Sequence, residues 1–188
     1  MYGYKALIWD PVSGCAVSPI ELSVWRGRFA QATCGRAAFI PDGEAPAHQA
    51  PDEACGCGIH ATGMVLWLLD YAGNAGLGAY GGRCFTALLR ASGKVIEYSM
   101  GWRAEAVEII GVGCAPTIMG APHRFAEAAA EALGVPFEPA LRSLGYLALE
   151  LERAQSADQK AGCQGQAGEL PIGLAPRHPK QRLASGRS

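Results

Sequence analysis

The chain has 188 residues, which at roughly 150 residues per domain favours one domain with an appendage. Its 16 basic and 17 acidic residues leave a formal charge of -1, which excludes both a globally basic nucleic-acid binder and an acidic solvating chain. Leu, Ile, Val and Phe number only 39 while alanine alone numbers 33, so the core is modest and needs help from something besides apolar burial.

The N-terminus, MYGYKALIWD, has no basic segment leading into an apolar one. No secretion signal is expected, and the protein is read as cytoplasmic. Residues 4–9 carry β-forming types in loose alternation and read as a first strand. Asp10-Pro11 and Ser13-Gly14 supply a turn, and 15–18 return as a short second strand. Residues 26–58 are rich in Gly, Pro, Ala and Asp and show no period. Such a stretch inside a compact domain is either disordered or pinned by something other than a backbone ladder. Residues 61–72 are apolar on most faces and predict a buried helix ending at Gly73, followed by a glycine-rich loop over 73–82. Two strands, 83–90 and 93–99, are expected around Ser92-Gly93. A third, 102–110, follows a tight Met100-Gly101 turn in which Gly101 takes a positive φ.

A helix over 122–133 has Pro122 at its first position and Gly134 as its cap. A second helix over 139–153 carries an apolar stripe of Leu141, Leu144, Leu147, Ala148 and Leu151. From about 155 the composition turns to Gln, Gly, Ala and Ser, ends in Arg177, Lys180, Arg182 and Arg187, and predicts disorder. No run approaches the roughly 18 apolar residues of a membrane span, so no membrane partner is expected.

Without a secretion signal, seven cysteines point to metal binding or thiol chemistry rather than to a disulfide framework. Cys15, Cys84 and Cys114 stand alone and read as small buried apolar residues, Cys163 as a tail residue. The informative stretch is 32–62, which offers Cys34, His48, Cys55, Cys57 and His60. Zinc takes four thiolate or imidazole ligands in a tetrahedron. Cys55-Gly56-Cys57 places two thiolates one residue apart, and Cys34 and His48 come in from the long loop. The set is Cys3His, with no open position. It orders a segment that has no hydrophobic means of ordering itself. His60 competes for the fourth place, because it lies three residues after Cys57 at the expected start of a helix. The catalytic alternative makes Cys57 a nucleophile at that helix N-terminus, with His60 or His48 as its base.

Glu97, Tyr98, Arg103 and Glu105 gather around the 99–102 turn, with Arg103 and Glu105 on one strand face and Tyr98 opposite Arg103. Glu97, Trp102, Arg103 and Glu105 are candidate binding residues for a carboxylate, phosphate or base. The alternative is an ion pair that fixes the hairpin, and the four tryptophans read mainly as packing. The glycines of GLGAYGG do not follow a strand and open a helix, so no phosphate loop is supported.

Two blocks together resemble a family. One is His48-x-Ala50-Pro51-x-x-x-Cys55-x-Cys57-Gly58-Ile59-x-Ala61, preceded by Ala32-x-Cys34. The other is Gly101-Trp102-Arg103-Ala104-Glu105, preceded by Gly93-x-Val95-x-Glu97. They are similar to a family of small, mostly uncharacterised bacterial and phage proteins, common in actinobacteria, over about residues 2–138. That pattern joins the cysteine, the histidine and the C-x-C pair, and so strengthens the zinc reading. His60 stands where the family has an aromatic residue, Trp102 where it has Tyr, and Tyr98 where it has His. The resemblance implies no activity.

The expected fold is α+β: a small, mostly antiparallel sheet or partly closed barrel with a buried helix and C-terminal helices. Residues 1–138 form the zinc-stabilised domain, 139–154 a C-terminal helix and 155–188 a disordered tail. The expected function is a non-enzymatic, zinc-stabilised binding module for nucleic acid or a protein partner. The alternatives are a thiol- or metal-dependent enzyme, and an adaptor using the 139–153 stripe.

Overall fold

The computed structural model describes residues 1–19, 23–34, 48–65, 67–68, 83–114 and 124–164, with side chains of 141–143 and 158–164 left aside. The chain divides into two compact units, Met1–Leu151 and Glu152–Ser188. The described strands are β1 (Tyr2–Asp10), β2 (Cys15–Val17), β3 (Val24–Trp25), β4 (Phe29–Gln31), β5 (Ile59–Thr62), β6 (Cys84–Tyr98), β7 (Gly101–Gly113) and β8 (Phe137–Glu138). The helices are α1 (Arg124–Leu133) and α2 (Leu141–Gln164). No helix of the described residues is long and apolar enough to cross a membrane.

The eight strands form one mixed sheet in an α+β fold. β6 pairs antiparallel with β1 along Tyr2–Ile8 and with β7 along almost its whole length. β5 bridges the other edges of the same two strands, pairing Tyr4 with Thr62 on β1 and Ile59–Thr62 with Gly101–Ala104 on β7. Strands β1, β6, β7 and β5 thus close a ring, and β2, β3, β4 and β8 extend it.

Side chains alternate across β1, so each face buries its own set. Leu7 and Trp9 join Phe85, Leu89, Trp102 and Ile109 in one core, which α1 covers with Ala126, Ala129, Ala130 and Leu133. Tyr2, Tyr4, Ala6 and Ile8 face the other way and meet Leu68, Leu88, Leu144 and Ala148. Burial on both faces leaves every residue from Tyr2 to Trp9 inaccessible, including Lys5, whose Nζ donates to the His60 carbonyl at 3.2 Å.

Several expectations hold in place. The first two strands lie where predicted, and α1 ends at Gly134 with φ 64°. The amides of Gly134 and Val135 then bond back to the Glu131 and Ala130 carbonyls, which terminates the helix. In α2, Leu144 is fully buried and Leu147 and Leu151 pack beside it. Gly111 of β7 admits this helix closely: an added Cβ would lie 3.0 Å from Leu147 and 3.2 Å from Leu144.

Other expectations are corrected. The helix predicted over 61–72 gives way to a strand through Thr62; among the described residues helical backbone stands at Val65, Trp67 and Leu68, and positions 66 and 69–72 lie outside the described residues. The sheet supplies the reason, since β5 has a pairing strand on each side. The two strands expected at 83–99 are one strand, β6, with an irregularity between Ser92 and Val95. Gly93 takes φ 72° there, and the Glu105 side chain fills the space a Cβ would need. The hairpin loop is Ser99-Met100, with Tyr98 opposite Gly101, so Arg103 faces Ile96 rather than Tyr98. Gly101 has no positive φ. It is glycine because a Cβ would sit 2.0 Å from the Ala61 carbonyl oxygen. Helix α2 runs on to Gln164, past the end predicted at 153 and into residues whose composition predicts disorder. The 73–82 loop, Pro122 and the tail from 165 lie outside the described residues.

Candidate metal centre

Three elements deliver the four ligands. β4 pairs with β7, and the Ala32 amide extends that pairing to the Glu105 carbonyl at 2.7 Å, which sets Cys34 beside the sheet. Asp52 builds a tight turn: its Oδ1 accepts from the Ala54 amide at 3.0 Å and its carbonyl from the Cys55 amide at 3.1 Å. Gly58 then takes φ 119° and delivers the chain into β5. His48 lies upstream of this turn, followed by the cis Ala50-Pro51 bond.

The structure brings Cys34, His48, Cys55 and Cys57 together, with their ligand atoms all within 4.8 Å of one another. Two sulfurs each about 2.3 Å from one tetrahedral ion lie about 3.8 Å apart, and a sulfur and an imidazole nitrogen about 3.5 Å. The Sγ atoms of Cys34 and Cys55 are 3.8 Å apart, and Cys57 Sγ is 3.4 Å from His48 Nε2. The four groups could therefore hold a metal ion. Cys55 and Cys57 are buried with Ala50, and Ala32 and Cys34 pack against them, a cluster with almost no large apolar side chain.

The two thiols of the C-x-C turn differ in acidity. A hydrogen bond from the Cys57 backbone amide pulls the Cys55 thiol down to about 7, with the Cys57, Cys34 and His48 side chains assisting against burial. Burial pushes the Cys57 thiol up, and the neighbouring Cys55 and Cys34 add to this.

His60 is not in the cluster. It sits on β5, with Nε2 2.9 Å from the Gly56 carbonyl and Nδ1 3.4 Å from the Tyr98 hydroxyl. The catalytic alternative placed Cys57 at a helix N-terminus, but the chain enters a strand there, so neither a helix dipole nor His60 activates this thiol. Of the isolated cysteines, Cys15 and Cys84 are buried and Cys114 is half-buried; the Cys163 side chain lies outside the described residues.

Of the polar residues of the hairpin, Arg103 is taken up by the cysteine turn. Arg103 and Glu105 do share a face of β7. Arg103 Nη1 donates to the carbonyls of Asp52 at 3.4 Å, Cys57 at 3.1 Å and Cys55 more closely still. Glu105 accepts from the Gln49 side chain and from the Lys94 amide at 3.0 Å. Trp102 is 2% exposed, a core residue whose Nε1 donates to the Tyr2 carbonyl at 2.9 Å. Glu97 is exposed on β6. The alternation of Arg103 and Glu105 marks their common face in the sequence. What that face meets lies some fifty positions earlier, where no local signal reaches.

No family profile, curated protein or solved structure matches the chain.

Proposed function

We propose that Cys34, His48, Cys55 and Cys57 hold one structural zinc ion, and that the protein is a non-enzymatic binding module whose barrel carries this metal-ordered turn. The carrying observation is the convergence of four soft or borderline ligands within 4.8 Å. Three thiolates and an imidazole suit zinc over the oxygen-seeking cations, and a full tetrahedron leaves no position for substrate. The resemblance to the actinobacterial and phage family belongs to this reading. A reducing compartment such as the cytoplasm suits thiolates that must stay unoxidised.

A protein partner is favoured over nucleic acid. Met64, Met100 and Tyr98 are all exposed, and the Gly63 amide beside Met64 donates to the Met100 carbonyl at 3.0 Å. Adaptable thioethers beside an aromatic ring suit an apolar protein surface. Arg28 and Arg90, by contrast, are both engaged by Glu108.

Metal analysis of the purified chain tests the zinc reading. One equivalent of zinc is expected. His48→Ala is expected to lose it and His60→Ala to keep it. Zinc kept by His48→Ala and lost by His60→Ala overturns the ligand set, and no zinc in the unaltered chain overturns the reading.

One distance favours a second reading. The 3.4 Å from Cys57 Sγ to His48 Nε2 also suits a thiol and its general base. Against it stands the direction of Cys57 acidity, raised by burial where a nucleophile needs it lowered. Rapid selective alkylation of Cys57 in the purified chain would favour the enzyme.

A further inference from the structure

We propose that Arg103 is the positioning residue of the metal centre, gathering the carbonyls of the cysteine turn and offsetting the charge of the loaded site. This rests on the zinc reading above. Three observations carry it. The first is convergence: the Asp52, Cys55 and Cys57 carbonyls all meet one guanidinium nitrogen. Carbonyl dipoles pointed at one spot repel each other unless a cation sits there. Two of these carbonyls belong to the thiol-bearing residues themselves.

The second is accommodation. Gly58 has φ 119°, and a Cβ there would lie 3.1 Å from Arg103 Cβ and 2.9 Å from Pro51 Cβ. The chain leaves room for the arginine stem between the turn and β7. The third is support. Arg103 stands opposite His60 on β5 and Ile96 on β6, so its backbone is held between two paired strands. A zinc ion with three thiolates and a neutral imidazole carries a single net negative charge, which a guanidinium beside the turn offsets. Groups that orient metal ligands from behind typically change metal affinity by about 10–100-fold when removed.

The test uses the full chain with Arg103→Gln and Arg103→Lys, titrated with zinc and with cobalt(II) as a spectroscopic stand-in. Arg103→Gln is expected to weaken zinc binding by about 10–100-fold. It should also alter the visible ligand-field bands of the cobalt form at saturation. Arg103→Lys keeps the stem and the charge but loses the planar fork, and should fall between. The metal-free forms of the three proteins should melt alike.

Zinc affinity in Arg103→Gln equal to that of the unaltered chain overturns the proposal. So does equal destabilisation of the metal-free and zinc-loaded forms, which would make Arg103 a brace of the fold alone. If Arg103→Gln does not fold, Arg103→Lys decides: a loss of about tenfold supports the proposal and unchanged affinity overturns it. Absence of zinc from the unaltered chain overturns the zinc reading itself, an outcome distinct from a loaded protein indifferent to Arg103.

Discussion

With the proposed zinc ion held at about a thousand times its Kd, its chelation is expected to lower the stability of the protein by about 4 kcal/mol while the barrel stays folded. The two halves of that statement have different causes. The turn around Cys55 and Cys57 buries Ala50, Pro51 and the thiols but no large apolar side chain, so without metal it is held mainly by the Asp52 turn and the Arg103 contacts to its carbonyls. The barrel has Leu7, Phe85, Leu89, Trp102 and Ile109 on one face and Leu88 and Leu144 on the other, all essentially inaccessible. Urea unfolding with and without chelator, followed by far-ultraviolet circular dichroism, measures both. Complete unfolding on chelation would show that the barrel depends on metal as a small zinc finger does. An unchanged midpoint would show that no metal contributes.

The pH dependence has a definite sign. Zinc needs deprotonated thiols and a neutral imidazole, so protons compete with it and affinity falls as pH falls. The Cys55 thiol, held near 7 by the Cys57 amide, yields its proton well below the ordinary thiol range. Stabilisation by zinc should grow as pH rises and decline as the solution is acidified, with Cys55 the readier and Cys57 the more reluctant of the two turn thiols to give up its proton.

Trp102→Ala is expected to cost about 3–5 kcal/mol, the range for removing a buried aromatic ring. Trp102 stands at the centre of the ring of strands, opposite Ala61 on β5 and Glu97 on β6. Its indole lies against Gly3, where an added Cβ would come within 2.6 Å of Nε1. Trp102→Phe keeps most of the packing but leaves the Tyr2 carbonyl without its indole donor, a loss of about 1–3 kcal/mol. Equilibrium unfolding of both variants checks the order. A cost for Trp102→Ala below that of Trp102→Phe would show that the ring is not packed as described.

Periodicity and ligand chemistry made much of this legible. Leu144, Leu147, Ala148 and Leu151 recur at helical spacing, and α2 docks by them. Cys34, His48, Cys55 and Cys57 stood out because soft ligands crowded a segment with no other source of order. Illegible features depend on distant partners. Residues 61 and 62 open an apolar stretch and read as the start of a helix over 61–72, yet they close a strand, β5, that two neighbouring strands claim. Gly101 looked like a turn glycine, but its reason is the Ala61 carbonyl forty residues away in the chain. Arg103 looked like a ligand-binding residue because its carbonyl partners belong to a turn that pattern alone cannot place beside β7.

The long pairing of β6 with β7 also sets the order in which the molecule assembles. It joins neighbouring residues through a two-residue turn, from Tyr98 opposite Gly101 to Thr86 opposite Gly113. Every other part of the ring closes across greater chain separations, at a larger entropic penalty. The hairpin is therefore expected to nucleate, with the cysteine turn and α2 consolidating late. Trp102→Ala should slow refolding, whereas Cys57→Ser should mainly hasten unfolding, a contrast visible in the two arms of a chevron plot. On the zinc reading, the metal would govern how long the native state lasts rather than how fast it is reached.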